Sequence, residues 1–246
     1  MTLAAASVVG VGLWRPAPGA ETPPPRLPPR LRRRASLLIN MVAEVSAQAA
    51  EQAGASLATL PLVVGSAFGE LATTMELLRD LEGDGVLSPT QFQSSVHNSA
   101  VGYLSIAHDN RVASTSLAAG DDTLGAVLLE ALTLLTLRGG RVLAVVADEA
   151  LPAALLPRGA SAALAAAFLL EAGAAGPLVL EDLRAAVVTG RPVESDAPCA
   201  SGVRLVDAIR AARSARVDLG VEGASTWSVA VRRVARARRE GEGEGA

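Results

Sequence analysis

The stretch VASTSLAAGDDTLGAVLLEALTLLTLRGGRVLAVVA, residues 112–147, indicates the fold class of this chain. Its first six residues, Val112–Leu117, predict a strand, and Arg141–Ala147 is a continuous apolar run of the kind that forms a buried strand. Between the two strands, Asp121–Leu137 predicts a helix, because glycines bound the segment at both ends. A strand, a helix and another strand in this order are typical of an α/β fold.

The same alternation continues on both sides of this stretch. Further strands are predicted at Ala5–Trp14, Leu60–Gly65, Ala162–Leu170 and Ser225–Val234, and helices at Ala35–Ala53, Gly69–Leu81, Ser94–His108 and Gly202–Arg216. Several strands are rich in valine, which fits burial on both sides. The sequence therefore predicts an α/β fold with a mostly parallel sheet and helices on both of its faces.

One domain and one tail are expected. Residues 1–231 are predicted to form the domain, and residues 232–246, which change from Arg-rich to Gly-Glu repeats, a flexible tail. Residues 15–30 contain seven prolines and are predicted to be a loop, because proline is excluded from helix interiors. The basic cluster Arg30–Arg34 follows this loop. A solvated approach to the next helix is the favoured interpretation, and contact with an anion is the alternative.

The composition excludes several classes of protein. Hydrophobic residues make up 50% of the 246 residues, which excludes disorder throughout the chain. The net charge of −3 provides no general attraction to phosphates, so we expect no nucleic-acid partner. All 22 basic residues are arginine, which excludes a Schiff base or a general base formed by lysine.

The cysteine content and the hydropathy indicate a compartment. Cys199 is the single cysteine, so no internal disulfide can form, which fits a reducing environment. No stretch of about 20 strongly apolar residues is present, and we expect no transmembrane segment. Met1–Ala20 is similar to a signal peptide but lacks a positive charge before the apolar run, so we interpret it as structure. We therefore expect a cytoplasmic protein.

Few side chains are suited to metal binding or catalysis. His97 and His108 are the only histidines, too few for a typical zinc site in a chain with one thiol. Asp121 and Asp122 are interpreted as partners of a helix dipole rather than as a metal pair. We predict no metal site and no cofactor.

One pair of side chains leaves a hydrolytic interpretation open. Ser94 and His97 are three residues apart and would share one face of a helix, and Ser95 is adjacent. A Ser–His acyl hydrolase also needs an orienting acid and an oxyanion hole, and neither is evident nearby. In the favoured interpretation, His97 makes a structural hydrogen bond at a helix end or an interface.

The stretch LSPTQFQSSVHNSAVGYLSI, residues 87–106, resembles the β-ketoacyl synthase-like proteins of aryl-polyene and related polyketide clusters, often called chain length factors. Supporting matches are Arg32–Ser36, Val64–Glu70, Ser116–Thr123 and Ala147–Glu149. In order and spacing the resemblance covers residues 5–175. It implies a thiolase-like fold of which this chain contains the N-terminal half only.

The resemblance also implies that this chain is not an autonomous enzyme. It places Leu117 at the position of the nucleophilic cysteine of ketosynthases, and leucine cannot attack a thioester. The two catalytic histidines of ketosynthases belong to the second half of the fold, and neither His97 nor His108 matches them. No catalytic residue is therefore predicted.

A partner role is what the resemblance implies instead. In the family's fold, the helix matching Ser94–His108 and the strand matching Val112–Leu117 lie at the subunit interface. The expected interface residues are Phe92, Ser95, His97, Asn98, Gly102, Tyr103, Ser105, Ser114 and Ser116. The expected partners are a full-length β-ketoacyl synthase, in a heterodimer, and an acyl carrier protein. Met75, Phe92, Tyr103 and Leu117 are candidate walls of an acyl tunnel. The alternatives are a carrier-protein docking module that uses Arg30–Arg34, and the Ser–His hydrolase.

Overall fold

A mixed eight-stranded sheet forms the centre of the molecule. The computed structural model describes residues 3–83, 85–152, 155, 162–185, 199–219 and 227–234. The strands are β1 (Ala6–Trp14), β2 (Leu62–Gly65), β3 (Ser114–Leu117), β4 (Arg141–Asp148), β5 (Leu164–Ala172), β6 (Leu178–Ala185), β7 (Ala215–Asp218) and β8 (Trp227–Arg233). Their order across the sheet is β3-β2-β4-β5-β1-β6-β8-β7, so β3 and β7 are its outer strands.

Helices cover both faces of this sheet. They are α1 (Pro29–Arg32), α2 (Leu37–Gln52), α3 (Leu71–Gly83), α4 (Pro89–Ser94), α5 (Ser99–His108), α6 (Thr123–Arg138) and α7 (Ala200–Arg210), with 3₁₀ turns at Leu57–Thr59 and Gly120–Asp122. On one face, α2 and α5 pack with residues such as Leu143 and Val145 of β4. On the other face, α6 and α7 pack with the alternate residues, such as Ala144 and Val146. The predicted α/β class, with helices on both faces, is confirmed.

The prediction of a mostly parallel sheet is wrong. Strand β2 pairs in parallel with β3 and β4, but the other five pairings among the described strands are antiparallel. Long apolar runs such as Arg141–Ala147 suggested parallel strands. In the structure, helices bury both faces of β4 and β5, so the same kind of run arises in an antiparallel pair.

Two predicted helices have different bounds. The predicted helix Ser94–His108 is interrupted, because Ser95–Asn98 forms a turn between α4 and α5. The Ser95 hydroxyl donates to the Phe92 carbonyl, a local bond that competes with helical pairing. Helix α7 ends at Arg210, and the chain then enters β7, an unpredicted strand.

Among the helices of the described ranges, none combines the length and the apolar composition needed to cross a membrane.

Strand β8 extends beyond the predicted domain boundary. Arg232 and Arg233, assigned to the tail by the sequence analysis, pair with Val179 and Leu178 of β6, another unpredicted strand. The Arg232 Nε donates to Glu181 Oε1 at 2.7 Å. The rest of the predicted tail, residues 235–246, lies outside the described residues.

Helix α2 lies unusually close to β1. A methyl group at Gly10 or Gly12 would overlap the backbone carbonyl of Ala49 or Val45 in α2. This approach brings two glutamine side chains onto the strand: Gln52 Oε1 accepts from the Val11 amide at 2.7 Å, and Gln48 Oε1 accepts from the Leu13 amide at 2.9 Å. Since β6 pairs only with the first residues of β1, these side chains replace the missing strand partner.

The proline-rich loop is tied to the same helix. Arg26 donates from Nε to Glu44 Oε2 at 2.6 Å and from Nη1 to Glu51 Oε1 at 2.7 Å. Glu44 is buried and also accepts from Gln48 Nε2 at 2.8 Å. Leu27, the next residue of the loop, is buried as well. These contacts hold the loop against α2 and thereby place α1, which follows it.

We expect Gly12→Ala to lower the free energy of unfolding by about 2–4 kcal/mol, because the new methyl group meets backbone atoms that cannot rotate away. Urea unfolding followed by circular dichroism measures this change. Gly83→Ala is the matched control, since a methyl group there meets open space at the end of α3, and it should be neutral or slightly stabilising. Equal stability of the two variants would contradict the close packing of α2 on β1.

Candidate functional site

Strand β3 leaves one edge of the sheet open. The Leu117 carbonyl accepts from the Ser66 amide at 3.2 Å, so the backbone groups of Leu117 and Thr115 face β2. Because these groups alternate along a strand, the N–H and C=O groups of Ser114 and Ser116 point away from β2. No described strand pairs with them on that side. This edge can accept a strand from another chain.

Large apolar side chains are exposed on α4, on α5, which packs against β3, and in the segments next to them. Phe92 of α4 and Ile106 of α5 are 61% and 60% exposed, and Val96 and Val112 are also exposed. A methyl group at Gly102 of α5 would meet open space. We call Phe92, Val96, Gly102, Ile106, Val112, Ser114 and Ser116 the β3-edge surface. Exposed apolar residues of this size are typical of a protein–protein contact.

Some predicted interface residues are engaged inside the chain. The Tyr103 hydroxyl donates to the Arg34 carbonyl at 3.1 Å, and His97 Nε2 donates to the Ser66 carbonyl at 2.9 Å. Asn98 is exposed and Ser105 is half-buried. The predicted residues thus lie along α4, α5 and β3, and whether a partner contacts them stays a prediction.

The Ser–His pair suggested by the sequence is not formed. Ser94 Oγ donates to the Thr90 carbonyl at 3.1 Å and Ser95 Oγ to the Phe92 carbonyl at 2.9 Å. The His97 ring is turned toward the Ser66 carbonyl. The turn at Ser95–Asn98 ends the helical spacing on which the pairing depended, and the hydrogen bonds of both hydroxyls and of the imidazole go to backbone carbonyls instead.

Leu117 ends β3 in tightly packed surroundings. A methyl group at Gly65 of β2 would contact Leu117 Cδ1 and would overlap side-chain methyl groups of Thr123 and Val127 from the first turns of α6. Thr123 and Val127 are buried. Residues 117–123, Leu-Ala-Ala-Gly-Asp-Asp-Thr, contain no thiol, and they include the whole connection from β3 to α6.

The single thiol lies elsewhere and is inaccessible. Cys199 precedes α7, is 2% exposed, and donates to the Leu164 carbonyl at 3.5 Å. Burial, with the nearby Asp148 carboxylate, raises the pKa of Cys199 well above its usual value. A buried thiol of this kind is not a nucleophile, because the thiolate is the reactive form.

A group of carboxylates that the sequence analysis did not single out lies beyond the ends of β2 and β4. Asp148 Oδ1 accepts from Ser66 Oγ at 2.6 Å and from the Phe68 amide at 3.2 Å. Glu149 Oε1 accepts from the Leu38 amide of α2 at 2.9 Å. Glu70 Oε1 accepts from Ser36 Oγ at 3.0 Å. The described residues include no cluster of three acidic, histidine or cysteine side chains suited to a metal ion.

Burial raises the pKa values of these carboxyls. The pKa of Glu70 rises to about 7, chiefly because the side chain is removed from water and secondarily because the Glu149 carboxylate is near. Burial also raises the pKa of Asp148, against the lowering effect of the Ser66 hydrogen bond. All three acids lie in stretches that carry the family resemblance, Val64–Glu70 and Ala147–Glu149. The sequence of one stretch does not show which side chains of the other stretch will lie beside it in the folded chain.

The basic cluster lines a cleft. Arg30, Arg33, Arg34, Ser94, Asn98 and Tyr103 line a cavity of about 910 Å³, which we call the arginine cleft. A smaller cavity of about 340 Å³, the inner cavity, shares Arg33 and Arg34 and extends to Ser36, Thr73 and Glu76. Within the described part of the chain, none of these three arginines forms an ion pair. Val96 and Ile106 belong to both the cleft and the β3-edge surface, so the two are continuous.

Comparison with known proteins identifies a family and a fold. Residues 13–227 match the family described as beta-ketoacyl synthase, N-terminal domain. In a search by sequence, no curated protein matches. The solved structures with similar folds include "Ketosynthase (ApeO) in Complex with its Chain Length Factor (ApeC) from Xenorhabdus doucetiae", with 22% identity over 95% of this chain and 100% of that one and a TM-score of 0.68.

Two further solved structures share the fold. "The ishigamide ketosynthase/chain length factor" has 17% identity over 85% of this chain and 73% of that one, with a TM-score of 0.60. An acyl-carrier-protein complex described as AntDE:AntF has 11% identity over 95% of this chain and 100% of that one, with a TM-score of 0.74. The thiolase-like fold expected from the resemblance is confirmed.

We expect iodoacetamide to alkylate Cys199 in the native protein roughly a hundredfold more slowly than in guanidinium chloride, because the thiol is buried and protonated. Mass spectrometry of timed samples measures the rate. Ala118→Cys supplies a control thiol at an exposed position beside Leu117, which should react quickly in the native state. Rapid native labelling of Cys199 would contradict its assignment as an inert core residue.

Proposed function

Because the chain belongs to the family of β-ketoacyl synthase N-terminal domains, we propose that it is a non-catalytic subunit that pairs with a complete ketosynthase. In this proposal it forms a heterodimer and shapes the partner's acyl tunnel, as a chain length factor in polyketide, aryl-polyene or fatty-acid-type biosynthesis. The observation that carries the proposal is the hydrocarbon side chain of Leu117 in a connection without any thiol. Its single, buried cysteine fits a reducing compartment, and we expect the complex in the cytoplasm.

The absence of condensing activity follows from the chemistry of the reaction. Covalent acyl transfer needs a nucleophile whose proton is easily lost, and ketosynthases use a thiolate. The side chain of Leu117 has no nucleophilic atom, and the Cys199 thiol is buried where the start of α7 packs against β5. Ser66 is also unsuited to attack, because it is 4% exposed and its hydroxyl is enclosed between Asp148 Oδ1 and the Gly69 amide, out of reach of an acyl group. Of these three positions, one lacks a nucleophilic atom and the other two are buried.

The β3-edge surface supports the pairing. The outward N–H and C=O groups of Ser114 and Ser116 would continue the sheet into a partner, and the flanking apolar side chains would be removed from water. Control of chain length would then be steric, since side chains at the contact set the depth of the tunnel. Among the candidate walls, Phe92 is exposed at this surface, and Tyr103, Met75 and Leu117 are half-buried.

We expect Ser116→Pro to reduce co-purification with a co-expressed ketosynthase roughly tenfold or more, because proline removes an outward N–H and places its ring on the open edge. The hydrogen bonds of β3 to β2 use Thr115 and Leu117 and remain intact. Asp218→Pro is the matched control, since Asp218 points outward on the opposite edge strand, β7, and it should leave co-purification unchanged. Undiminished binding of Ser116→Pro would place the contact elsewhere.

The activity of the pair tests the subunit role directly. The ketosynthase should give a changed product length or a lower yield when this chain is omitted. If the chain alone elongated a carrier-bound primer with malonyl units, the proposal of a non-catalytic subunit would be overturned.

A second candidate function is docking of an acyl carrier protein at the arginine cleft. The observation that favours it is the set of three arginines without ion pairs in the described chain, which line one cavity. Arginine binds carboxylates and phosphates through paired N–H groups, and an acidic carrier protein would supply such anions. Because the cleft is continuous with the β3-edge surface, a carrier bound there would lie at the border with the ketosynthase.

We expect the double substitution Arg33→Glu and Arg34→Glu to weaken binding of an acyl carrier protein about tenfold or more at low ionic strength, with a smaller difference at high salt. Fluorescence anisotropy of a labelled carrier measures the affinity. Arg210→Glu together with Arg204→Glu changes the net charge equally on α7 and should have little effect. Equal losses for both double variants would indicate attraction by overall charge, and the cleft would not be the docking site.

A further inference from the structure

The Glu70 carboxylate lies behind two hydroxyl groups that line the inner cavity. Glu70 is 2% exposed, and its two oxygens accept from Ser36 Oγ at 3.0 Å and from Thr73 Oγ1 at 3.3 Å. Ser36 and Thr73 both line the inner cavity. The carboxylate is therefore separated from this cavity by two hydroxyl groups that donate to it, and its charge acts on the cavity through space over this short distance.

Ser36 connects this carboxylate to the arginine segment. Its hydroxyl donates to Glu70 and accepts from the Ile39 amide at 3.0 Å, which caps the N-terminus of α2. Arg33 and Arg34 lie three and two residues before this cap and line both the inner cavity and the arginine cleft. The cap and the two arginines thus line one wall of the inner cavity, and the carboxylate lies behind that wall.

The charged and titratable groups near Glu70 and the inner cavity come from four segments. The segment before α2 contributes Arg33 and Arg34 to the cavity, α3 contributes Glu76 to it, and the end of β4 contributes Asp148 and Glu149 on the Glu70 side. Helix α4 contributes Thr90, Gln91 and Ser94, which are uncharged, and the turn that follows contributes His97, whose ring packs against Gly69 beside Glu70. The two arginines are therefore the cations of this wall, and the acids outnumber them when all are ionised.

We propose that protonation of Glu70 regulates the arginine cleft, which binds an acidic protein partner tightly when Glu70 is neutral and weakly when Glu70 is ionised. This inference rests on the second candidate function, the docking of an acidic carrier protein. It adds a proton-linked control to that docking, exerted by a side chain that does not itself contact the partner. Glu70 is in this sense a positioning residue of the cleft.

Ionisation of Glu70 weakens binding of the acidic partner in two ways. An ionised Glu70 repels the carboxylates of the partner, and it attracts Arg33 and Arg34 toward the inner cavity, away from the partner. Because the pKa of Glu70 is about 7, the side chain changes from mostly neutral at pH 6 to mostly ionised at pH 8. Two unit charges about 10 Å apart near a protein surface alter an equilibrium constant about threefold or more at low ionic strength.

The test measures binding of a labelled acyl carrier protein between pH 6 and pH 8 at low ionic strength. The native chain should lose affinity about threefold or more as the pH rises. Glu70→Gln keeps an acceptor for the Ser36 hydroxyl but cannot ionise, so its affinity should stay at the acidic value across the range. Glu76→Gln removes an exposed carboxylate from the same cavity, and it should bind more tightly while it keeps the pH dependence.

A measurement on the unmodified chain gives an independent result. By linkage, bound carrier protein must raise the pKa of Glu70, which carboxyl ¹³C resonances report directly. If no carrier binds at any pH, the docking function fails. If the carrier binds but the native chain and Glu70→Gln have the same pH profile, or the Glu70 resonance titrates identically with and without carrier, the docking stands and the regulation by Glu70 is refuted.

Discussion

The close approach of α2 to β1 is the constraint on which the rest of this structure depends. It is possible because positions 10 and 12 carry no side chain, so the helix backbone at Val45 and Ala49 rests against the strand. Gln48 and Gln52 then satisfy backbone amides of β1 that have no strand partner. The backbone contact fixes the distance between α2 and β1, and the two glutamine hydrogen bonds fix the position of the helix along the strand. The N-terminus of α2 is thereby held over the ends of β2 and β4.

The position of α2 determines where the buried carboxylates and the arginine segment of the chain lie. The N-terminal turn of α2 supplies the Leu38 amide to Glu149 and the Ser36 hydroxyl to Glu70, so three segments distant in sequence meet at one point. Arg26 ties the proline-rich loop to the middle of the same helix, which places the arginines that follow. The chain thus combines the fold of a β-ketoacyl synthase N-terminal domain with a packed leucine at the end of β3, three arginines along one cleft and an open strand edge. The cleft and the open edge are surfaces suited to assembly with other proteins.

The accuracy of the sequence analysis differed between elements for physical reasons. Strands β1, β4 and β5 were foreseen because burial on both faces leaves long apolar runs, but the same burial concealed their antiparallel pairing. Strands β6 and β7 are short or rich in charged residues, and their stability comes from pairing rather than from composition. The helix over Ser94–His108 was divided because hydroxyl groups bond the local backbone, a competition that apolar spacing does not reveal. The proposed pair of Ser94 and His97 failed with that helix.

Local sequence patterns were sufficient to predict the α/β class and most of the strands and helices, and to show that no thiol lies between β3 and α6. These properties depend on the identity and spacing of neighbouring residues. The motif around Ser-Val-His-Asn was sufficient for the family. Folding alone determined which edge of the sheet stays open, that Arg30, Arg33 and Arg34 line one cleft, and that Ser36, Glu70 and Glu149 meet. These are contacts between segments far apart along the chain, and they depend on how closely helices and strands can approach, which no short stretch of residues encodes.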